Sequence, residues 1–298
     1  MPNAISTHGL SKRFRRMDAL RGLTLEVPEG SVFALVGTNG AGKTTTIKTV
    51  MNIIKPTSGY ATVLGTDSRQ LGPRQFERIG YVSENQEMPD WMTVGYFLDY
   101  LKPFYPAWDD ARTAELVKQF QLPPGRRMRH LSRGMRIKAA LASSLAYHPR
   151  LLVLDEPFGG LDPLVRDEVI EGLLDSAGES TIFISSHDLA EIESFATHIA
   201  YIAEGRLQFA EEMASLSARF REVEVTLAEP AQMPAQWPRH WLRPETSPAV
   251  VRFVDSRFEG TRTQDEIRHL FGEVREVAVY PMALRAIFVA LARAGATT

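Results

Sequence analysis

Nine consecutive residues, Gly37, Thr38, Asn39, Gly40, Ala41, Gly42, Lys43, Thr44 and Thr45, have the types and spacing to hold a chain of phosphates. They follow Ser31 to Val36 (SVFALV), an apolar run with the texture of a buried strand. A strand feeding G-x-x-x-x-G-K-[ST] is a phosphate-binding P-loop, and its defining positions are filled by Gly37, Gly42, Lys43 and Thr44. The glycines let the backbone turn tightly, so that successive N–H groups point inward at an anion. A helix beginning near Gly42 adds its positive dipole end and its unpaired N–H groups. Lys43 brings a full charge to the outer phosphates, and the Thr44 hydroxyl is placed to ligate Mg²⁺.

Other chemistry follows along the chain. Leu151 to Leu154 is a short apolar run that leads into Asp155, Glu156 and Pro157. A carboxylate ending such a strand emerges at the carboxyl edge, where α/β sheets bind ligands. Beside a P-loop, Asp155 would hold Mg²⁺ through water, while Glu156, projecting differently, would orient or deprotonate the water that attacks the γ-phosphate. Leu131-Ser132-Arg133-Gly134-Met135 precedes this segment, Gly159-Gly160-Leu161-Asp162 follows it directly, and Ser185-Ser186-His187-Asp188 ends the next apolar run.

In order and spacing, these motifs resemble the ATP-binding subunits of ABC transporters over residues 1 to about 215. The resemblance is nearest to ATPases serving separately encoded membrane subunits of the ABC-2 exporter type, to which the segment Ile79 to Val94 contributes. It implies ATP and Mg²⁺ as cofactors. Ser132 and Gly134 would serve the γ-phosphate of an ATP held by the opposite subunit. Here the chain departs from the family's LSGGQ signature, with Arg133 for glycine and Met135 for glutamine. His187 would contact the γ-phosphate and help place the water and Glu156. Glu84 stands where the family usually has the glutamine that touches Mg²⁺ and the attacking water; Gln86 is the competing assignment, and Glu84 is favoured because it follows Tyr81-Val82-Ser83 in the usual register. Asp162 matches the aspartate that contacts the partner subunit. Phe14 occupies the approximate place of the aromatic that stacks on adenine, with core packing as its alternative.

The elements that must position these residues can be read from periodicity. Ile5 to Phe14, Leu23 to Val27, Ser31 to Val36, Ala61 to Leu64 and Ile79 to Val82 have strand texture. Thr44 to Met51 fits the helix after the P-loop, and Thr93 to Leu101 and Trp108 to Phe120 carry helical spacing. Further helices are expected at Asp162 to Leu174 and Asp188 to Thr197, and a strand at Thr181 to Ser185. Strands alternating with helices argue an α/β class with a parallel sheet. The family resemblance adds a P-loop NTPase core with an antiparallel β-subdomain and a helical insert at about 85–149. Residues 216–298 read as a small α+β accessory domain after an ATPase domain of residues 1–215. In it, Glu222 to Leu227, Ala249 to Val254 and Glu276 to Tyr280 are strand-like, and Thr263 to Phe271 and Ala283 to Ala294 are helical.

Bulk composition bounds the rest. The 298 residues include 44% hydrophobic and 23% charged, which suffices for a sizeable core. A net charge of −2 argues against a chain-wide nucleic-acid footprint. With no cysteine, disulfides and thiolate metal sites are excluded. Neither a secretory leader nor a spanning helix is expected; Ala139 to Pro149 is the nearest approach and is too short. The resemblance therefore implies an ATPase subunit, a homodimer or heterodimer, seated on the cytoplasmic face of the cell membrane through a transmembrane permease partner, without nucleic acid. The alternatives are a soluble ABC-type ATPase and a non-catalytic regulatory half of a heterodimer.

Overall fold

The computed structural model describes residues 2–84, 86–177, 180–229, 233–234 and 236–295. The chain divides into two compact units, Met1–Ala210 and Glu211–Thr298, each with its own core.

The first unit opens with long antiparallel strands, β1 (Asn3–Phe14) and β2 (Met17–Pro28), followed by β3 (Val32–Val36) and helix α1 (Lys43–Val50). Strands β4 (Ser58–Val63) and β5 (Thr66–Asp67), the short helix α2 (Pro73–Phe76) and β6 (Ile79–Ser83) come next. Helices α3 (Val94–Leu101), α4 (Asp110–Gln119) and α5 (Arg133–Leu145) form the insert before β7 (Leu151–Asp155). The unit continues with α6 (Pro163–Ala177), β8 (Thr181–Ser186), α7 (Leu189–Ile192), β9 (His198–Ala203) and β10 (Arg206–Glu212).

Two sheets result, a four-stranded one ordered β2-β1-β4-β5 and a six-stranded one ordered β10-β9-β3-β8-β7-β6. Every residue of β3, β7 and β8 is buried, as parallel strands covered on both faces require. Parallel register then sets the site. Val36 pairs with Ser186, Asp155 with Ser185, and Ser83 with Asp155, so the carboxyl ends of four strands share one edge. Behind that edge α5, whose buried residues include Ala139, Ala140, Ala142 and Ser144, packs on β6. Gly80 permits the approach, because a Cβ there would lie 2.7 Å from Leu152 Cδ1 and 3.3 Å from Ser144 Cβ.

The expected helix over Asp188 to Thr197 is cut short. Asp188 caps α7, accepting from Ala190 N at 3.0 Å, but the helix ends at Ile192. Thr197 then pulls the chain into the sheet. Its N donates to Val32 O at 2.9 Å and its Oγ1 accepts from Val32 N at 3.0 Å. Strand β9 follows, where the sequence reading had no strand. Ile192 is buried as the last residue of α7, and Phe195 is buried from the turn that follows it.

In the second unit, α8 (Met213–Arg219) leads to β11 (Arg221–Leu227), β12 (Trp241–Thr246), β13 (Val250–Asp255), α9 (Gly260–Phe271), β14 (Val274–Pro281) and α10 (Leu284–Gly295). Its antiparallel sheet runs β12-β13-β11-β14. Strand β12 lies inside a proline- and tryptophan-bearing stretch that showed no strand signal. Pro244 is tolerated because β12 is an edge strand with a register shift between Leu242 and Glu245. Trp241 anchors it, stacked on Phe253 at 3.8 Å between ring centroids. No helix among the described residues is long and apolar enough to cross a membrane.

Candidate nucleotide site

Residues Gly37 to Thr45 link β3 to α1 as a tight loop. Gly40 and Gly42 adopt φ of 81° and 111°, in the region that side chains avoid. At Gly42 a Cβ would also stand 2.7 Å from Ala19 O. The loop closes on itself where Ala41 N donates to Thr38 O at 3.1 Å. Lys43 folds back beneath it, donating to Gly37 O at 2.6 Å and Thr38 O at 3.1 Å. A cleft of about 600 Å³ opens above, lined by Asn39, Gly40, Gly42, Lys43, Thr44 and Thr45 and by Glu84, Glu156 and His187. Residues that carry no motif signal in the sequence complete it: Met17, Asp18, Ala19 and Arg21 of β2, and Glu204 with Gly205 from the β9–β10 turn.

The two carboxylates that end β7 have separate surroundings. Asp155 is buried under the loop and accepts from Thr44 Oγ1 at 3.0 Å and Ser185 Oγ at 2.8 Å. Burial pushes its carboxyl above the ordinary range, against the pull of the two hydroxyls. Glu156 faces the cleft from a left-handed backbone with φ 52°, a conformation that costs a non-glycine residue roughly 1 kcal/mol or more and is often found at functional sites. Its Oε1 pairs with Lys43 Nζ at 3.0 Å and its Oε2 meets His187 Nδ1 at 2.7 Å. The hydrogen bond to Glu156 raises the imidazole above the usual histidine value. Ser185 ties the pair together, since its Oγ also accepts from Glu156 N at 3.0 Å. Its part was invisible in the sequence, because it depends on the register of β7 against β8.

Among the described residues no group of three or more His, Cys, Asp or Glu side chains would hold a metal alone. What the site supplies is one hydroxyl, from Thr44, beside one buried carboxylate, Asp155, whose side-chain partners are hydroxyls. Mg²⁺ takes oxygen donors and characteristically uses one or two carboxylates together with water and substrate phosphates, so this donor set fits it.

The remaining expected residues lie elsewhere in the unit. Ser132 is the N-cap of α5, its Oγ accepting from Met135 N at 3.2 Å. Gly134 sits where a Cβ would come 2.5 Å from Val165 Cγ1, so the glycine also lets α5 approach α6. Asp162 accepts from Val165 N at 3.1 Å at the start of α6. None of these three lines the cleft. Phe14 does not line it either. It is 41% exposed with Lys12 Nζ 5.0 Å from its ring centroid, which removes the core-packing alternative. Gln86 turns back to accept from Ser83 N at 3.4 Å, whereas Glu84 reaches the cleft. Arg133 Nη2 donates to Glu84 Oε1, a contact the sequence gave no reason to expect.

A P-loop at the carboxyl edge of parallel strands, facing a carboxylate pair that ends β7 on the far side of β8, defines a P-loop nucleotide-binding protein. The ABC transporter family model matches residues 20–159. An uncharacterized ABC transporter ATP-binding protein of Synechocystis is 32% identical over 241 residues, covering 76% of this chain and 67% of that protein. The daunorubicin/doxorubicin resistance ATP-binding protein DrrA of Streptomyces peucetius is 29% identical over 305 residues, covering 97% and 92%. A solved ATP-binding subunit of an ABC transporter superposes with a TM-score of 0.66 at 25% identity, over 72% of this chain and 92% of that one. The chain belongs to the ABC transporter ATP-binding proteins.

Proposed function

We propose that this subunit hydrolyses Mg-ATP between two copies of the ATPase fold and so drives a separately encoded permease. The observation that carries the reading is Glu156, held by Lys43 on one oxygen and by His187 on the other at the mouth of the cleft. A γ-phosphate arriving over the loop competes for Lys43 and releases one oxygen of Glu156. That oxygen is then free to orient a water for in-line attack and take its proton, with His187 fixing the other oxygen. Thr44 and Asp155 would hold Mg²⁺, which supplies charge neutralisation at the transferring phosphoryl group. The β2 residues Met17, Asp18 and Arg21 would border the nucleoside end.

The second half of the pocket would come from the facing subunit. Ser132 and Gly134, at the N-terminal turn of α5, lie outside the cleft of their own chain and are free to serve the partner's γ-phosphate. The insert would carry closure to the permease. It borders a groove of about 480 Å³ lined by Ile53, Tyr81, Phe97, Tyr100 and Tyr147, among others. Nearby Trp91, Tyr96 and Phe104 expose 62%, 51% and 61% of their surface. The permease would seat the subunit on the cytoplasmic face of the membrane. Export is the proposed direction, the one that suits the drug resistance for which DrrA is named. The second unit would act as an accessory domain.

Glu156→Gln tests the reading. With Mg-ATP the variant is expected to accumulate as a dimer while turnover falls by about two orders of magnitude or more, as loss of a general base implies. A variant that stays monomeric and hydrolyses ATP at the unaltered rate would remove Glu156 from this role.

A further inference from the structure

Glu84 lies at the junction of two clefts. It lines the nucleotide cleft with Lys43, Thr44 and Glu156, and it also lines a neighbouring cleft of about 590 Å³ beside the start of α5. In that second cleft it is paired with Arg133. One turn along α5, Arg136 Nη2 donates to Asp90 Oδ1 at 3.1 Å. Residues three apart share a helix face, so the first turn of α5 presents two guanidinium groups to the segment after β6. The Glu84–Arg133 pair rests on Gly159 and Gly160. A Cβ on Gly160, whose φ is 68°, would lie 2.9 Å from Arg133 Nη1, and one on Gly159 would lie 3.2 Å from Glu84 Oε1. These residues are also two departures from the family pattern. A glutamate replaces a neutral amide and an arginine replaces a glycine, and the two added charges meet each other.

We propose that Glu84 and Arg133 form a competitive latch, in which Arg133 and the Mg²⁺ side of the nucleotide cleft draw on the same carboxylate. The inference rests on the nucleotide reading above and adds a regulation to it. Arg133 is a positioning residue that occupies Oε1 of Glu84 at the cleft wall and so withholds that oxygen from Mg²⁺. Mg-nucleotide, by drawing Glu84 inward, frees the first turn of α5, which carries Ser132 and Gly134. Linkage makes the effect reciprocal: what nucleotide does to the pair, the pair does to nucleotide affinity. The pair is suited to this because it is weak. Glu84 and Arg133 side chains are 35% and 46% exposed, and solvent-screened pairs are readily exchanged.

Calorimetric titration with ADP, with and without Mg²⁺, tests the latch without depending on turnover. Arg133→Ala is expected to tighten Mg-ADP binding by about two- to fivefold, the range an exposed ion pair spans, and to leave metal-free ADP binding unchanged. Arg133→Lys should restore the parent affinity. In a Glu84→Gln background Arg133→Ala should change nothing. Asp90→Ala, which breaks the parallel pair without touching Glu84, should behave as the parent. The latch is overturned by an unchanged affinity in Arg133→Ala, by the same gain without Mg²⁺ or in Glu84→Gln, or by an equal gain in Asp90→Ala. A parent protein that binds no nucleotide sinks the nucleotide reading itself, and the latch with it.

Discussion

Burial works against the Asp155 carboxylate, and the sign of that effect makes a prediction. Its folded pKa is raised above the ordinary value of 3.8, chiefly by desolvation. The associated stability is therefore present below that value and lost as pH rises through the folded pKa, so the ionised group is a liability in the protein alone. Asp155→Asn should raise the melting temperature measured without nucleotide, and should shrink the further rise produced by Mg-ATP. His187 follows the same sign from a different cause. Its pKa is raised from 6.5 by Glu156, so the pair contributes stability below about pH 6.5 that disappears as pH climbs through the raised value. Melting curves from about pH 5 to 9 should show this loss in the parent and a flatter profile in His187→Ala. At this scale the sequence was informative where chemistry is local. The P-loop pattern and the strand-ending carboxylates could be read directly. Ser185 and the Glu84–Arg133 pair could not, because their partners are brought close only by sheet register and by the fold of the insert.

Helix α5 does two jobs, and its first turn shows both. Ser132 caps it, and Gly134 lets it lie close to α6. Gly134→Ala should therefore destabilise the first unit by about 1–3 kcal/mol through contact with Val165, the usual range for overpacking. Val165→Ala in the same chain should recover much of the loss, as urea denaturation of both variants and the double variant would register. If Gly134→Ala is neutral, the helices are not held by this contact. Elements with one dominant signal were legible. Strands β3, β7 and β8 are buried runs, and α3 carries clear apolar spacing. Elements set by competing signals were not. Helix α7 ends at Ile192, before Thr197 binds Val32 and starts β9, and β12 forms despite Pro244 because its position at the sheet edge spares it a ladder bond.

Among the described residues each unit has a hydrophobic core of its own. One gathers residues from Ala4 to Ile202, the other from Val223 to Phe271. Ligand stabilisation acts only on the unit that binds. Differential scanning calorimetry should therefore resolve two transitions, and Mg-ATP should move one of them upward while leaving the other in place; a single transition that shifts as a whole would show the units to be coupled. The cleft itself has a simple inventory. Among the described residues its lining runs from Met17 to Gly205, within the first unit. Among the described residues, the groups proposed for the chemistry, from Lys43 to His187, all precede the second unit. A lineage can lengthen, replace or discard that trailing fold without rewriting the machinery before it, so diversification among such subunits has its easiest path at the carboxyl-terminal side.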